Sequence, residues 1–301
     1  MGVTLRRDGI FAALWTPTDA DGRLLESELA ALVEFLRNRR IHGVFALGST
    51  GQFLYLEPEA RKRLVDCVVQ QAGPLPVVAN ISDIRPAVVA DLGRSARASG
   101  CAAVAIMPPY FYEPPQVDLV EFFVQSGEAA GLPVLLYNFP ERTGARIELE
   151  TIAQVADRIP LAGIKHSGAD AAYLPALIGL GREKNFVVFS GADTQIAEGM
   201  ALGTAGCVGG LANIVPDLMV QIFDAARAGF PERATRAADR VRQLGEMIDR
   251  LHFPLNVAAG MEARNLPVGQ PKAICSAATL EAYRRLVADV RNLLRQWNLV
   301  E

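Results

Sequence analysis

The chain has 301 residues, half of them hydrophobic, and a formal net charge of −3, which suits one large domain or two small ones. Charge this balanced, with no long single-sign block, argues against a nucleic-acid surface or a polybasic membrane patch. No apolar run is long enough to span a bilayer. In MGVTLRRDGIFAALWTPTDADG, two arginines precede an apolar run too short for a signal peptide, and Pro17 and two aspartates follow it. It reads as a short tail and a first strand, and the expected location is the cytoplasm. Cys67, Cys101, Cys207 and Cys275 form no CxxC pair, and His42, His166 and His252 lie far apart, so no zinc or other metal site is expected. Apolar neighbours around all four cysteines predict buried free thiols.

Strand-like runs occur at 10–15, 43–47, 76–80, 102–107, 133–137, 161–165, 186–190 and 206–209. They are nearly continuous apolar stretches rather than alternating ones, as parallel strands covered on both faces require. Helix-period segments lie between them. At 26–40, Leu29, Leu32, Val33 and Leu36 follow i, i+3, i+4, i+7 spacing, with Ser27 as the predicted N-cap. At 58–73, Leu64, Val65, Val68 and Val69 repeat the pattern, with Pro58 at the start and Gly73 at the end. The segment 216–229 runs in the same way.

Eight strands and eight helices are expected by about residue 229, and strict alternation implies a parallel sheet. Eight such units suit a (β/α)8 TIM barrel over 1–229. An open doubly wound sheet is the alternative, but no strong dinucleotide fingerprint follows the first strand. Residues 230–301 read as helices at 233–251, 256–265 and 277–298, packed on the barrel or on a neighbouring subunit.

In a barrel of this kind all strands deliver their C-terminal ends to one face, where active sites form. Tyr137 ends the fifth run and Lys165 the sixth. GSTG (48–51) follows the second and SGAD (190–193) the seventh. A lysine buried there is costly without a role or a partner. An ordinary amine is neutral in only about one molecule in a few thousand at pH 7. Desolvation disfavours the ammonium and frees the lone pair for attack on a ketone. The resulting protonated imine is an electron sink, and a nearby tyrosine hydroxyl can relay protons. A salt bridge for Lys165 and plain packing for Tyr137 explain the spacing equally well. GSTG offers hydroxyls and backbone N–H groups to an anion, or is an ordinary strand-to-helix turn. PPYFYEPP (108–115) sets aromatics between prolines in a stiff, protruding loop, or in a surface or subunit contact.

GVFALGSTGQ, LYNFPERTG and GIKHSG resemble the three signature segments of the dihydrodipicolinate synthase / N-acetylneuraminate lyase family, pyruvate-dependent class I aldolases and related lyases. The likeness runs from FAALWTPTDADG to LPVGQPKAICSAATLEAYRRL, nearly the whole chain. It implies a (β/α)8 barrel with C-terminal helices and a homotetramer built as a dimer of dimers. Lys165 matches the Schiff-base lysine and Tyr137 the tyrosine that moves protons. Ser49 and Thr50 match the pair that binds the 2-oxo acid carboxylate and links Tyr137 to the relay. Gly191 and Val208 match positions lining the pyruvate site. No metal or organic cofactor is implied, the imine on Lys165 being the electron sink.

Departures from the family pattern bear on the substrate. Arg142 matches the arginine that binds the aspartate semialdehyde carboxylate in the synthase branch. That branch, however, has two tyrosines after the proline of the strand-four loop, the second reaching into a neighbouring subunit's site. Here Tyr110 is followed by Phe111, and Tyr112 replaces the missing hydroxyl only if the loop slips by one. In the sialic acid lyase branch, Ser167 stands where a threonine is expected, and the acidic pair after strand seven is Asp193-Thr194, without its glutamate. GCVGGLANIVPD reads more like branches acting on 2-oxo-3-deoxy sugar acids and similar hydroxy-2-oxo acids. The expected activity is thus an imine-forming aldolase or dehydratase acting on such acids. The alternatives are 4-hydroxy-tetrahydrodipicolinate synthase and a non-catalytic 2-oxo acid binding protein.

Overall fold

The computed structural model describes residues 3–170 and 172–301. Eight parallel strands close into a barrel in sequence order: β1 (Gly9–Ala13), β2 (Gly43–Ala46), β3 (Val77–Asn80), β4 (Ala103–Ile106), β5 (Val134–Asn138), β6 (Leu161–His166), β7 (Val187–Ser190) and β8 (Gly206–Gly209). Nearly every strand residue is buried, which is why the runs carry little polar alternation. Helices α1 (Glu26–Asn38), α2 (Pro58–Ala72), α3 (Pro86–Ser99) and α4 (Gln116–Ala130) follow the first four strands. Two helices, α5 (Pro140–Thr143) and α6 (Leu149–Ala156), separate β5 from β6. Then come α7 (Tyr173–Lys184), α8 (Ile196–Leu202) and α9 (Pro216–Arg227), and after the barrel α10 (Pro231–Ile248), α11 (Leu255–Ala263) and α12 (Ala277–Gln296). The fold is therefore a TIM barrel with C-terminal helices, and no helix among the described residues is long and apolar enough to cross a membrane.

Three local expectations are corrected. Among the described residues nine helices, not eight, precede residue 229, because α5 is a single turn started by Pro140, too short to show a period. Ser27 is not the N-cap of α1. The Leu25 N–H is held by the Pro17 carbonyl at 3.0 Å, so Leu25 is the N-cap and the helix begins at Glu26, two residues earlier than a cap at Ser27 implies, with Ser27 already inside its first turn. Cys67, Cys101 and Cys207 are buried free thiols, but Cys275 is only partly buried, because it lies on the connection between α11 and α12 rather than in the core.

The barrel seam needs two glycines. A Cβ on Gly206 (φ +144°) would stand 1.9 Å from the Gly9 carbonyl oxygen, and one on Gly9 (φ +114°) would meet His42 at 2.6 Å. His42 caps the end of the barrel opposite the strand C-termini. Its Nδ1 accepts the Ile10 N–H at 2.9 Å, and the His42 backbone N–H donates to the Ile10 carbonyl. Burial, helped by the Arg6 charge, pulls His42 down from 6.5 to about 4, against a smaller pull upward from Asp224 and Asp8. A protonated Nδ1 cannot accept the Ile10 N–H. Because the folded value is depressed, the stabilisation is complete above pH 6.5 and is lost as pH falls toward 4. Denaturant titrations at pH 7 and pH 5 are expected to show the wild type losing more stability over that interval than His42→Asn.

Candidate active site

Neighbouring strands in register bring the site together. Tyr137 on β5 pairs with Lys165 on β6, and Lys165 in turn with Phe189 on β7. Lys165 is only 4% exposed. Its Nζ lies 4.0 Å from the Tyr137 ring centroid and 4.9 Å from that of Phe45. Among the described residues it has no carboxylate at ion-pair distance, so the salt-bridge reading of this lysine has no support here. Aromatic faces attract an ammonium through their ring quadrupoles.

The Tyr137 and Ser49 hydroxyls are 3.3 Å apart. Thr50 is buried next to Gly210, where an added Cβ would come 3.1 Å from its Oγ1. Ser49 is thus the hydroxyl within reach of the tyrosine. The strand ends are stitched by backbone bonds from the Ser167 N–H to the Asn138 carbonyl (2.9 Å) and from the Gly191 N–H to the His166 carbonyl (2.7 Å). Gly191 has to be a glycine, since a Cβ there would sit 1.9 Å from Ser167 Oγ.

Asp193 supplies an acidic wall. Its Oδ2 accepts the N–H groups of Gly210 (3.0 Å) and Leu211 (3.3 Å) after β8. A Cβ on Gly209 would overlap its Oδ1 at 1.5 Å, so the close approach depends on a missing side chain. Burial raises the Asp193 carboxyl to about 6, although the two N–H groups and the Lys165 charge pull the other way. Asn213 braces this corner: its amide N–H donates to the carbonyls of Ala13 and Gly210, both at 2.8 Å, and its Oδ1 accepts the Trp15 N–H.

A cavity of about 260 Å³ opens at this end of the barrel. Of the sequence-derived candidates, Lys165, Tyr137, Ser49, Thr50, Arg142, Gly191, Val208, Ser167 and Asp193 all face it. Arg142 is delivered by α5 and stacks over Phe253 at 5.6 Å. The acids that might have paired with it are engaged elsewhere: Glu141 accepts the Ala169 N–H and Glu148 pairs with Arg146. Tyr110 borders an adjoining hollow that shares Ser49, Arg142 and Phe253, with its ring edge-on to Phe53. Phe111 and Tyr112 are 84% and 69% exposed, pack against each other, and line neither space.

The sequence reading missed the contribution from beyond the barrel. Asp249, Phe253, Asn256 and Val257 close the cavity from α11 and the segment before it. Their only signal in the sequence was the polar, proline-broken stretch DRLHFPLN between two helical patterns. Among the described residues, no group of three or more His, Cys, Asp and Glu is placed to hold a metal ion.

Comparison with known proteins gives the family. The model of the Dihydrodipicolinate synthetase family matches residues 6–293. An uncharacterized DapA-like lyase of Halobacterium salinarum is 29% identical over 293 residues, covering 97% of this chain and 96% of its own. A 4-hydroxy-tetrahydrodipicolinate synthase of Pseudomonas putida is 32% identical over 261 residues, 86% of this chain and 85% of its own. Among solved structures, the prophage protein YagE of E. coli K12, a member of the dihydrodipicolinic acid synthase family in complex with pyruvate, superposes with a TM-score of 0.88 at 26% identity, covering 97% of this chain and 99% of its own. With a family model spanning nearly its full length and a barrel that superposes on a pyruvate-bound relative, the chain belongs to the dihydrodipicolinate synthetase family and is a lyase of the class I aldolase type.

Proposed function

We propose that this lyase forms its Schiff base through Lys165 and acts on a 2-oxo-3-deoxy sugar acid or a related hydroxy-2-oxo acid. The lysine Nζ attacks the C2 carbonyl, and the oxygen leaves as water after accepting protons relayed by Tyr137 and Ser49. The protonated imine then draws electrons from the C3–C4 bond. Cleavage gives an aldehyde and an enamine, with the C4 hydroxyl proton passing to the Tyr137 side. Protonation of the enamine at C3 and hydrolysis release pyruvate and restore the amine. Tyr137 sits one strand from the amine, so a single hydroxyl serves both proton transfers.

The observation that carries the substrate class is the make-up of the outer cavity. Ser167, Asp193, Thr194, Asp249 and Asn256 face a space of about 260 Å³ that also holds Arg142. A wall of hydroxyl, carboxyl and amide groups suits a polyhydroxylated chain, because each substrate hydroxyl leaves water only if it finds a partner. Arg142 offers a planar donor fork to a distal carboxylate.

The second reading is 4-hydroxy-tetrahydrodipicolinate synthesis, the activity named for the Pseudomonas putida relative. Arg142 is compatible with it. The strand-four loop weighs against it, since Phe111 has no hydroxyl. Coupled assays decide between them: turnover of pyruvate with aspartate semialdehyde, set against aldol cleavage of a panel of deoxy-2-oxo sugar acids.

Three outcomes are expected from substitutions. Lys165→Ala should abolish both turnover and borohydride trapping of pyruvate in a folded barrel, and trapping at the wild-type rate would assign the nucleophile elsewhere. Tyr137→Phe should keep pyruvate affinity within about tenfold and lower kcat by about a hundredfold or more. For Arg142→Ala, steady-state kinetics should show a raised KM for the acidic substrate with pyruvate trapping intact. Equal losses in both assays, or none in either, would remove Arg142 from the distal site.

A further inference from the structure

A second cavity, of about 290 Å³, shares no lining residue with the catalytic one and backs onto it through the 252–258 segment. It lies between α11, α12 and the connection joining them. That connection is tied down over the loop after β1. The Trp15 indole N–H donates to the Val268 carbonyl at 2.9 Å, Thr18 forms a parallel bridge with Gly269, and the Gln270 N–H donates to the Thr18 carbonyl at 2.7 Å. Gly269 (φ +67°) is packed so closely that a Cβ would stand 2.4 Å from the Thr18 oxygen. The cavity is therefore part of the fold, not a gap under a loose loop.

Its charges are unequally satisfied. The Glu262 carboxylate accepts the Tyr283 hydroxyl at 2.6 Å, and Arg284 pairs with Glu281 at 2.9 Å. Lys272 is different. Its Nζ donates to the Thr16 carbonyl at 2.5 Å and lies 5.2 Å from the Trp15 ring centroid. Among the described residues it has no carboxylate at ion-pair distance. Burial alone pulls its amine down to about 8, with no neighbouring charge of either sign contributing. Two of its three donors remain for another acceptor. A partly desolvated cation without a counter-charge is costly, and an anion in the adjoining space would offset that cost. The rest of the lining includes Trp15, Leu255, Val268 and Leu280, which suits an apolar body behind the charged head.

We propose that this cavity is a second binding site, for a small carboxylate with an apolar body, with Lys272 as the partner of its carboxylate. Nothing in the lyase reaction requires it, and Lys165 and Tyr137 do not line it.

Benzoate is a suitable probe, with benzamide as its uncharged counterpart. The chain has four lysines, Lys62, Lys165, Lys184 and Lys272, so acetylation by limiting acetic anhydride can be followed at each by peptide mass spectrometry. Lys165 reports separately on the catalytic cavity, and the ion-paired Lys62 and Lys184 serve as controls. Benzoate at about ten times its dissociation constant should slow acetylation of Lys272 about tenfold. Benzamide should have little effect, and Lys62 and Lys184 should be unchanged. Equal protection by benzamide, protection of Lys165 alone, or none at saturating benzoate would overturn the proposal. Lys272→Met provides the second arm. It should fold with unchanged turnover and lose the benzoate-induced change in tryptophan fluorescence, and persistence of that change would likewise overturn the assignment.

Discussion

An amine held between two aromatic faces at the end of β6, with no carboxylate at ion-pair distance among the described residues, sets the conditions for the rest of the site. Phe45 and Tyr137 approach Lys165 from strands two and five. They can do so only because the barrel closes in strict sequence order with each strand end in register. Closure in turn depends on small residues at the seam, where Gly206 and Gly9 allow two backbones to meet. Reactivity at one end of the barrel is thus linked to the absence of side chains at the other.

The acid that shares the cavity with this amine is held in a particular way. Asp193 feels the Lys165 charge without an ion pair, and its own carboxyl rests near 6 because burial outweighs two backbone donors. Gly209 and Asn213 keep it against the β8 turn. The acid therefore faces the substrate space instead of neutralising the lysine, a division of roles that a direct salt bridge would cancel.

Much of this was legible in the sequence, for physical reasons. Strands buried on both faces read as unbroken apolar runs, so β2, β5 and β6 show in the chain almost at their observed bounds. Lys165 and Tyr137 stand out because a polar group ending such a run is rare. What escaped notice depends on geometry without local periodicity. The single turn α5, which aims Arg142, is shorter than any repeat. Ser27 looked like a cap, but the start of α1 is set by a hydrogen bond to Pro17, nine residues before its first helical residue. Asp249 and Asn256 reach the cavity only because the chain doubles back after the barrel, a long-range event that no short window of sequence encodes.

That return of the chain divides the cavity between two parts of the polypeptide. The inner end, where the carbon skeleton would be bonded to the protein, is built from strand termini that cannot shift without breaking barrel register. The outer end is completed by Asp249, Phe253 and Asn256, whose backbone answers to helix packing alone. Substitutions there can accumulate without disturbing the amine and its aromatic walls. Diversification of a lineage carrying this architecture would then proceed from the C-terminal helices inward, with the acceptor drifting while the bond-making step stays fixed.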